Sequence, residues 1–187
     1  SGKALIVSSG NPLVGGSATL IIDNVSERAI YLQLASLYAK GIDEVHVTSK
    51  KDISPRLMEM MNSLMGYAHI SHKGTTYTIK DVSGVNTQEL DEIFKRVFQM
   101  ILTLYDAAIL DITTERKATT ADLKLRDEEV NKFTLYLQRA INKMSYHDSV
   151  KGRVMFTYSY MLEKISDDIE RAWRAVIEHN VKSTPQL

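Results

Sequence analysis

Residues 162–169 read Leu-Glu-Lys-Ile-Ser-Asp-Asp-Ile and lie inside a longer stretch, Arg153 to Val176, that decides the fold. Apolar residues recur there at helical spacing and form one stripe, made of Leu162, Ile165, Ile169, Ala172 and Val176. Glu163 and Asp167 are four residues apart, so they lie one turn apart on a face directed away from the stripe. The pattern predicts an amphipathic helix that carries two carboxylates together on its exterior.

Two interpretations of this carboxylate pair are open. Like charges one turn apart destabilise a helix by about 0.2–0.5 kcal/mol, a cost that a bound cation would remove. The alternative is a solvated acidic face on a packing helix, which is the usual meaning of a charge run. The preceding helix offers a second oxygen pair, because Asp127 and Asn131 are four residues apart within Arg-Asp-Glu-Glu-Val-Asn at 126–131. Oxygen ligands of this kind suit magnesium, manganese, iron or zinc, although a neutral amide is a weaker ligand than a carboxylate.

The second half of the chain is predicted to be an antiparallel bundle of three helices. Amphipathic patterns run from Leu90 to Ile112, from Leu123 to Met144, and from about Val150 to about Asn180. Short breaks separate them, and three long helices joined by short turns pack side by side in alternating directions. In such a bundle the Asp127–Asn131 flank could approach the Glu163–Asp167 face, within one chain or across a dimer.

The first half is predicted to be a small β-α-β-α-β-β module. Ser26 and Gly41 suit the two ends of its first helix, and residues 67–80 read as a hairpin around Gly74. His69 and His72 have opposite parity in a strand, so we do not expect them to converge on one metal. The sequence thus predicts an α+β chain, with a small α/β domain at 1–83 and a helical bundle at 84–187.

Composition narrows the classes of function. The 187 residues contain 23 Lys and Arg, 23 Asp and Glu, and no Cys, so the formal net charge is zero and thiolate sites are excluded. Zero net charge argues against a broad nucleic-acid-binding surface. No apolar run is long enough to span a bilayer and no signal segment opens the chain, so we expect a cytoplasmic protein without membrane insertion. Neither a Gly-x-Ser-x-Gly turn nor a Glu-x-x-His pair occurs, which favours a non-enzymatic protein.

Both acidic segments resemble signatures of PhoU domains. Residues 162–169 resemble Leu-Glu-(Arg/Lys)-Ile-(Gly/Ala/Ser)-Asp, and residues 126–131 resemble Arg-Asp-(Asp/Glu)-Glu-Val-Asp on the preceding helix. The first half is similar to the α/β segment of prokaryotic AbrB/PhoU-type phosphate uptake regulators, through residues 17–23, 38–41, 53–55 and 64–66. Together these matches cover nearly the whole chain, and they follow the order of the family's motifs.

The resemblance implies a non-enzymatic regulator of phosphate uptake and phosphate homeostasis that acts through protein partners. Those partners would be phosphate transporter or sensor-kinase components. It also implies iron or zinc ligands at Glu163, Asp167, Asp127 and Asn131, where Asn131 replaces the Asp of the family signature. Many PhoU proteins carry two bundles in one chain, so a chain with one bundle is expected to form a homodimer.

Two alternatives accompany this interpretation. Relatives of this layout begin with an AbrB-like DNA-binding domain, of which residues 1–17 could be a remnant with Lys3 to Ser8 as its last strand. The chain would then be the effector and dimerisation part of a transcriptional regulator, and would reach DNA only through the missing domain. The other alternative is a scaffold that binds a partner helix on the Phe156 and Tyr160 side of the last helix.

Overall fold

The computed structural model of the chain describes residues 3–9, 16–84, 90–114, 120–144 and 149–179. Five strands and two helices form the first half: β1 (Lys3–Ser9), β2 (Ser17–Asp23), α1 (Glu27–Lys40), β3 (Glu44–Ser49), α2 (Ser54–Met61), β4 (Tyr67–Lys73) and β5 (Thr76–Asp81). Three long helices form the second: α3 (Leu90–Thr113), α4 (Thr120–Lys143) and α5 (Ser149–Glu178). The predicted α+β fold, a small sheet module followed by three long helices, is confirmed.

The sheet has the strand order β1-β2-β3-β5-β4, in which β2 and β3 are parallel and the other neighbours are antiparallel. Side chains alternate between its two faces. One face packs against α1 and α2 and carries the apolar residues Ala18, Leu20, Ile22, Val45, Val47, Tyr77 and Ile79. β1 pairs with β2 along all seven residues and is the edge strand of this sheet. The proposed origin of residues 1–17 in a preceding domain stays a prediction.

Local signals set the ends of α1 as predicted. The Ser26 hydroxyl accepts a hydrogen bond from the Ala29 amide at 3.3 Å. Gly41 adopts φ = 97°, and its amide bonds to the Leu37 and Tyr38 carbonyls at the end of the helix. These two caps fix where α1 begins and ends, and the chain continues from Gly41 into β3.

The hairpin is present, but its parity differs from the prediction. A β-bulge between His69 and Ser71 shifts the register of β4 against β5. The extra residue restores His69 and His72 to the same side of the strand, and both rings lie beside Tyr77, at centroid distances of 6.1 and 4.1 Å. The expectation of opposite parity was wrong because it assumed an uninterrupted strand.

In the helical half, α4 runs antiparallel to both α3 and α5, because residue numbers in the shared core clusters fall along α4 where they rise along the other two helices. α4 also packs against α1 of the sheet module. Two apolar clusters fill the bundle, one around Val97, Val130 and Leu137 and one around Leu104 and Trp173. The predicted division at residues 83 and 84 stays a prediction, since residues 85–89 lie outside the described part, as do residues 180–187. None of the helices described has the length and apolar character needed to cross a membrane.

The buried face of α5 is rotated relative to the predicted apolar stripe. Ile165 is 47% exposed and Ala172 is exposed, whereas Leu162 is buried as predicted. The face that enters the bundle consists of Gly152, Ser159, Leu162, Ser166, Glu170 and Trp173. Small residues on this face let α5 approach its neighbours closely, and its polar groups find partners, as in the 2.7 Å bond from the Ser159 hydroxyl to the Phe156 carbonyl.

Candidate functional site

The two acidic segments meet where α4 packs against α5. The Ser166 hydroxyl of α5 donates a 2.6 Å hydrogen bond to Asp127 Oδ1 of α4. Asn131 Nδ2, one turn along α4, donates to Asp127 Oδ2 at 3.2 Å. Both carboxylate oxygens of Asp127 are therefore engaged. We call this region the α4–α5 seam, formed by Asp127, Asn131, Ser166, Asp167 and Glu170.

Electrostatics at the seam disfavour the ionised form of the Asp127 carboxyl and raise its pKa. Burial raises the pKa of Asp127, and the negative charges of Asp167 and Glu170 raise it further. The hydrogen bonds from Ser166 and Asn131 act in the opposite direction without cancelling this effect. Glu170 is buried and is held by the guanidinium of Arg174 one turn away. The seam thus brings several acidic groups together, and nearby positive charge balances only part of their negative charge.

The outer carboxylate pair is bridged by a lysine between the two residues in sequence. The Lys164 ammonium lies 2.9 Å from Glu163 Oε2 and 3.1 Å from Asp167 Oδ2. The hydrogen bond to Glu163 is the main reason that the pKa of Lys164 is raised. Arg171 adds a weaker contact at 3.4 Å from Asp167. An internal cation therefore relieves the repulsion that the sequence pattern predicted for this pair.

The predicted metal ligands are consequently occupied by protein groups. At Glu163, Asp167 and Asp127, a metal ion would have to displace the Lys164 ammonium and the Ser166 hydroxyl. Asn131 Oδ1 differs, because it is buried and has no hydrogen-bond partner among the described residues. Across the described ranges, no group of three or more His, Cys, Asp or Glu side chains is arranged to hold a metal ion. Iron or zinc binding stays a prediction, and this structure supplies no open donor set for it.

A second polar cluster joins the bundle to the sheet module. Arg139 of α4 is fully buried, and its guanidinium donates to the carbonyls of Tyr38 at 3.0 Å and Ile42 at 2.7 Å. It also pairs with Asp81 at 2.7 Å and with Asp43. The rings of Tyr38 and Tyr67 lie 4.9 and 5.3 Å from its central carbon. We call this cluster the Arg139 node, formed by Arg139, Tyr38, Asp43, Tyr67 and Asp81.

At the node, opposite charges are paired, whereas at the seam several acidic groups lie together. Burial by itself would raise the pKa of Asp81, but the hydrogen bond and positive charge of Arg139 outweigh it and lower that pKa below its ordinary value. Burial is also the main cause of the raised pKa values of Tyr38 and Tyr67. Asp81 and Arg139 are therefore ionised at neutral pH, and the two tyrosines are neutral.

Sequence reasoning missed the node entirely. Arg139 lies next to the apolar core residues Leu137, Ala140 and Ile141, a context in which arginine more often extends its head group to solvent. Its partners come from the turn after α1 and the end of β5, so no local pattern connects them. The only available hint was an arginine flanked by residues of the apolar stripe of α4.

The side of α5 predicted for a partner helix is partly buried and partly exposed. Phe156 packs at the edge of the bundle core, and the Tyr160 ring lies 5.5 Å from the Lys164 ammonium. Tyr160 is nevertheless 52% exposed, and the scaffold alternative stays a prediction. Comparison with known proteins adds nothing to the assignment, since no family model, curated protein or solved structure matches the chain. The resemblance to PhoU domains depends on the two motifs and on their order.

Proposed function

We propose that this chain is a non-enzymatic regulator of phosphate uptake and phosphate homeostasis that acts through protein partners. The observation that supports the proposal is the α4–α5 seam. Segments 126–131 and 162–169, which carry the PhoU-like signatures, lie against each other and are joined by the bond between Asp127 and Ser166. Motif residues that are far apart in sequence thus meet in the fold, as expected if they serve one function.

The Arg139 node gives this proposal a structural basis. A regulator must hold its modules in a defined relation if a contact on one is to affect the other. Four hydrogen bonds and ion pairs from one buried guanidinium connect α4 to the turn after α1 and to the end of β5. The α4–α5 seam is therefore built on the same helix that fixes the sheet module.

The proposal includes the finer expectations drawn from the resemblance. These are a cytoplasmic location, a homodimer, and contact with phosphate transporter or sensor-kinase components. Glu163, Asp167, Asp127 and Asn131 are kept as an optional iron or zinc site that requires rearrangement of Lys164. The carboxylates of Glu163 and Asp167 are partly exposed, so they are accessible to a protein partner.

Uptake of radiolabelled phosphate tests the proposal in the native host. Deletion of the gene should deregulate uptake when phosphate is abundant, and the wild-type gene should restore regulation. Asp127→Lys, which places a positive charge at the seam, should fail to restore it. Lys124→Ala, at an exposed position one turn away, serves as the matched control and should restore it fully. Unchanged uptake in the deletion strain, under both abundant and scarce phosphate, would overturn the proposal.

A further inference from the structure

Eight of the large apolar side chains exposed on the outside of the bundle form two rows. Each is between 42% and 62% exposed, and on both helices they recur with the spacing i, i+4, i+7 and i+11. This spacing keeps a row of side chains on one side of a helix. We call this surface the α3–α5 face, formed by Phe98, Leu102, Tyr105 and Ile109 of α3 and by Val154, Tyr158, Met161 and Ile165 of α5.

The two rows lie on neighbouring helices and meet at a groove. α3 and α5 run in the same direction, because each is antiparallel to α4, and they pack against each other. A groove of about 350 Å³ lies between them, and its walls include Tyr105 and Ile109 from one helix and Ile165 and Ala172 from the other. The rotation of α5 that buries Ser166 is what turns Ile165 toward this groove.

The surface is larger than a monomer ordinarily exposes. A half-exposed aromatic side chain offers roughly 100 Å² and an aliphatic one somewhat less, so the eight residues together offer on the order of 700 Å² of apolar surface. The largest apolar patch on a typical monomeric protein is about 300–600 Å². Phenylalanine, tyrosine and methionine are also the residues that are enriched at the centres of protein interfaces.

We infer that the α3–α5 face binds the same face of a second copy of this chain. A stable interface buries about 800 Å² on each partner, which is close to the area available. A single partner helix laid in the groove would cover the inner edges of the rows and leave their outer edges in water. A second copy presents two helices of the same width, so each row meets a row in a closed, two-fold contact. The inference rests on the homodimer in the proposed function and assigns its interface.

Two leucines on α3 provide a matched test. Leu102 is 62% exposed within the face, and Leu110 is 63% exposed on the same helix outside it. Sedimentation equilibrium should give twice the chain mass for the wild-type protein and for Leu110→Arg. Leu102→Arg and Ile165→Arg should sediment as monomers, with circular dichroism spectra like that of the wild type. A monomeric wild-type protein at all concentrations, or equal loss of association in Leu110→Arg, would overturn the inference.

Cross-linking provides a second measurement that does not depend on disruptive substitutions. The chain contains no cysteine, so each single-cysteine variant reports one position. Met161→Cys should form covalent dimers with a short bismaleimide, whereas the exposed control Leu125→Cys on α4 should not. Cross-linking that is no greater for Met161→Cys than for Leu125→Cys would contradict the inference.

The phosphate-uptake assay separates this inference from the proposed function. If Leu102→Arg dissociates the dimer but deletion of the gene leaves phosphate uptake unchanged, the interface is supported and the phosphate role is overturned. Regulated uptake that depends on the gene, with a wild-type protein that is always monomeric, would support the phosphate role and overturn the interface.

Discussion

The Arg139 node and the α4–α5 seam are two ways of placing charge beside one helix. Arg139 and Asp127 lie twelve residues apart on α4, or about 18 Å at helical rise. At the node, a buried cation is surrounded by carboxylates and carbonyls, and the pKa of Asp81 is lowered. At the seam, several acids lie together, and the pKa of Asp127 is raised. The two regions therefore differ in sign, because the node favours the ionised form of Asp81 and the seam disfavours the ionised form of Asp127.

The largest effect should come from the node. Arg139→Met keeps much of the side-chain volume but leaves Asp81 and the Tyr38 and Ile42 carbonyls without their buried partner. Removing one member of a buried ion pair typically costs about 3–5 kcal/mol. We expect a loss of that size in the free energy of unfolding, measured with urea. Arg171→Met, at an exposed ion pair, should cost less than about 1 kcal/mol, and equal losses would show that the node has no special role.

A smaller effect, with opposite signs at the two sites, should appear in the dependence of stability on pH. Asp81 has a lowered pKa when folded, so its stabilisation is present above its unfolded pKa and is lost as pH falls through the folded value. Asp127 has a raised pKa when folded, so its ionisation destabilises the fold as pH rises from the unfolded value through the folded one. The two carboxyl groups thus contribute slopes of opposite sign in acidic solution.

Replacing each carboxyl by an amide separates these contributions. At pH 7, Asp81→Asn should lower the free energy of unfolding by roughly 1–3 kcal/mol, because a charged hydrogen bond to Arg139 is weakened. Asp127→Asn should remain within about 1 kcal/mol of the wild type at pH 7, because it removes a disfavoured charge. Urea unfolding at pH 4 and pH 7 measures both. A loss at pH 7 that is as large for Asp127→Asn as for Asp81→Asn would contradict the distinction between seam and node.

Periodicity and cap residues sufficed for the architecture. Ser26 and Gly41 end α1 as predicted, and the long amphipathic patterns become α3, α4 and α5. Periodicity was insufficient for the orientation of α5, because hydrophobicity alone ranks Ile165 above Ser166 as a core residue. Close helix packing and the bond to Asp127 reverse that order, with Ser166 at 0% exposure and Ile165 at 47%. The β-bulge in β4 could not be predicted from the alternation of residues either. Its extra residue reverses the face of the sheet on which each later side chain of the strand lies.

For the candidate site, the sequence indicated which two helices carry the acidic segments but not which side chains these segments contact. The spacing of Asp127 and Asn131 did predict that they share a flank of α4. It left open whether that flank meets α5 of the same chain or of a second one, and here it meets α5 of the same chain. The role of Lys164 was missed because it is the neighbour of Glu163 in sequence, and residues one apart are not expected to face the same direction. Its long flexible side chain reaches both carboxylates nevertheless. Arg139 was missed because its partners are distant in sequence.

The smallest effect should come from Lys164, and it tests the seam directly. Its side chain is 43% exposed, so Lys164→Met should cost less than about 1 kcal/mol in the free energy of unfolding. The substitution also leaves Glu163 and Asp167 without the ammonium between them. If these carboxylates are metal ligands, zinc binding measured by titration calorimetry should tighten in Lys164→Met and disappear when Glu163→Gln is added. Zinc binding that does not differ among the three proteins would reduce the pair to a structural ion bridge. A stability loss as large as that of Arg139→Met would show that Lys164 is a structural cation like Arg139, and the contrast between the two regions would then be wrong.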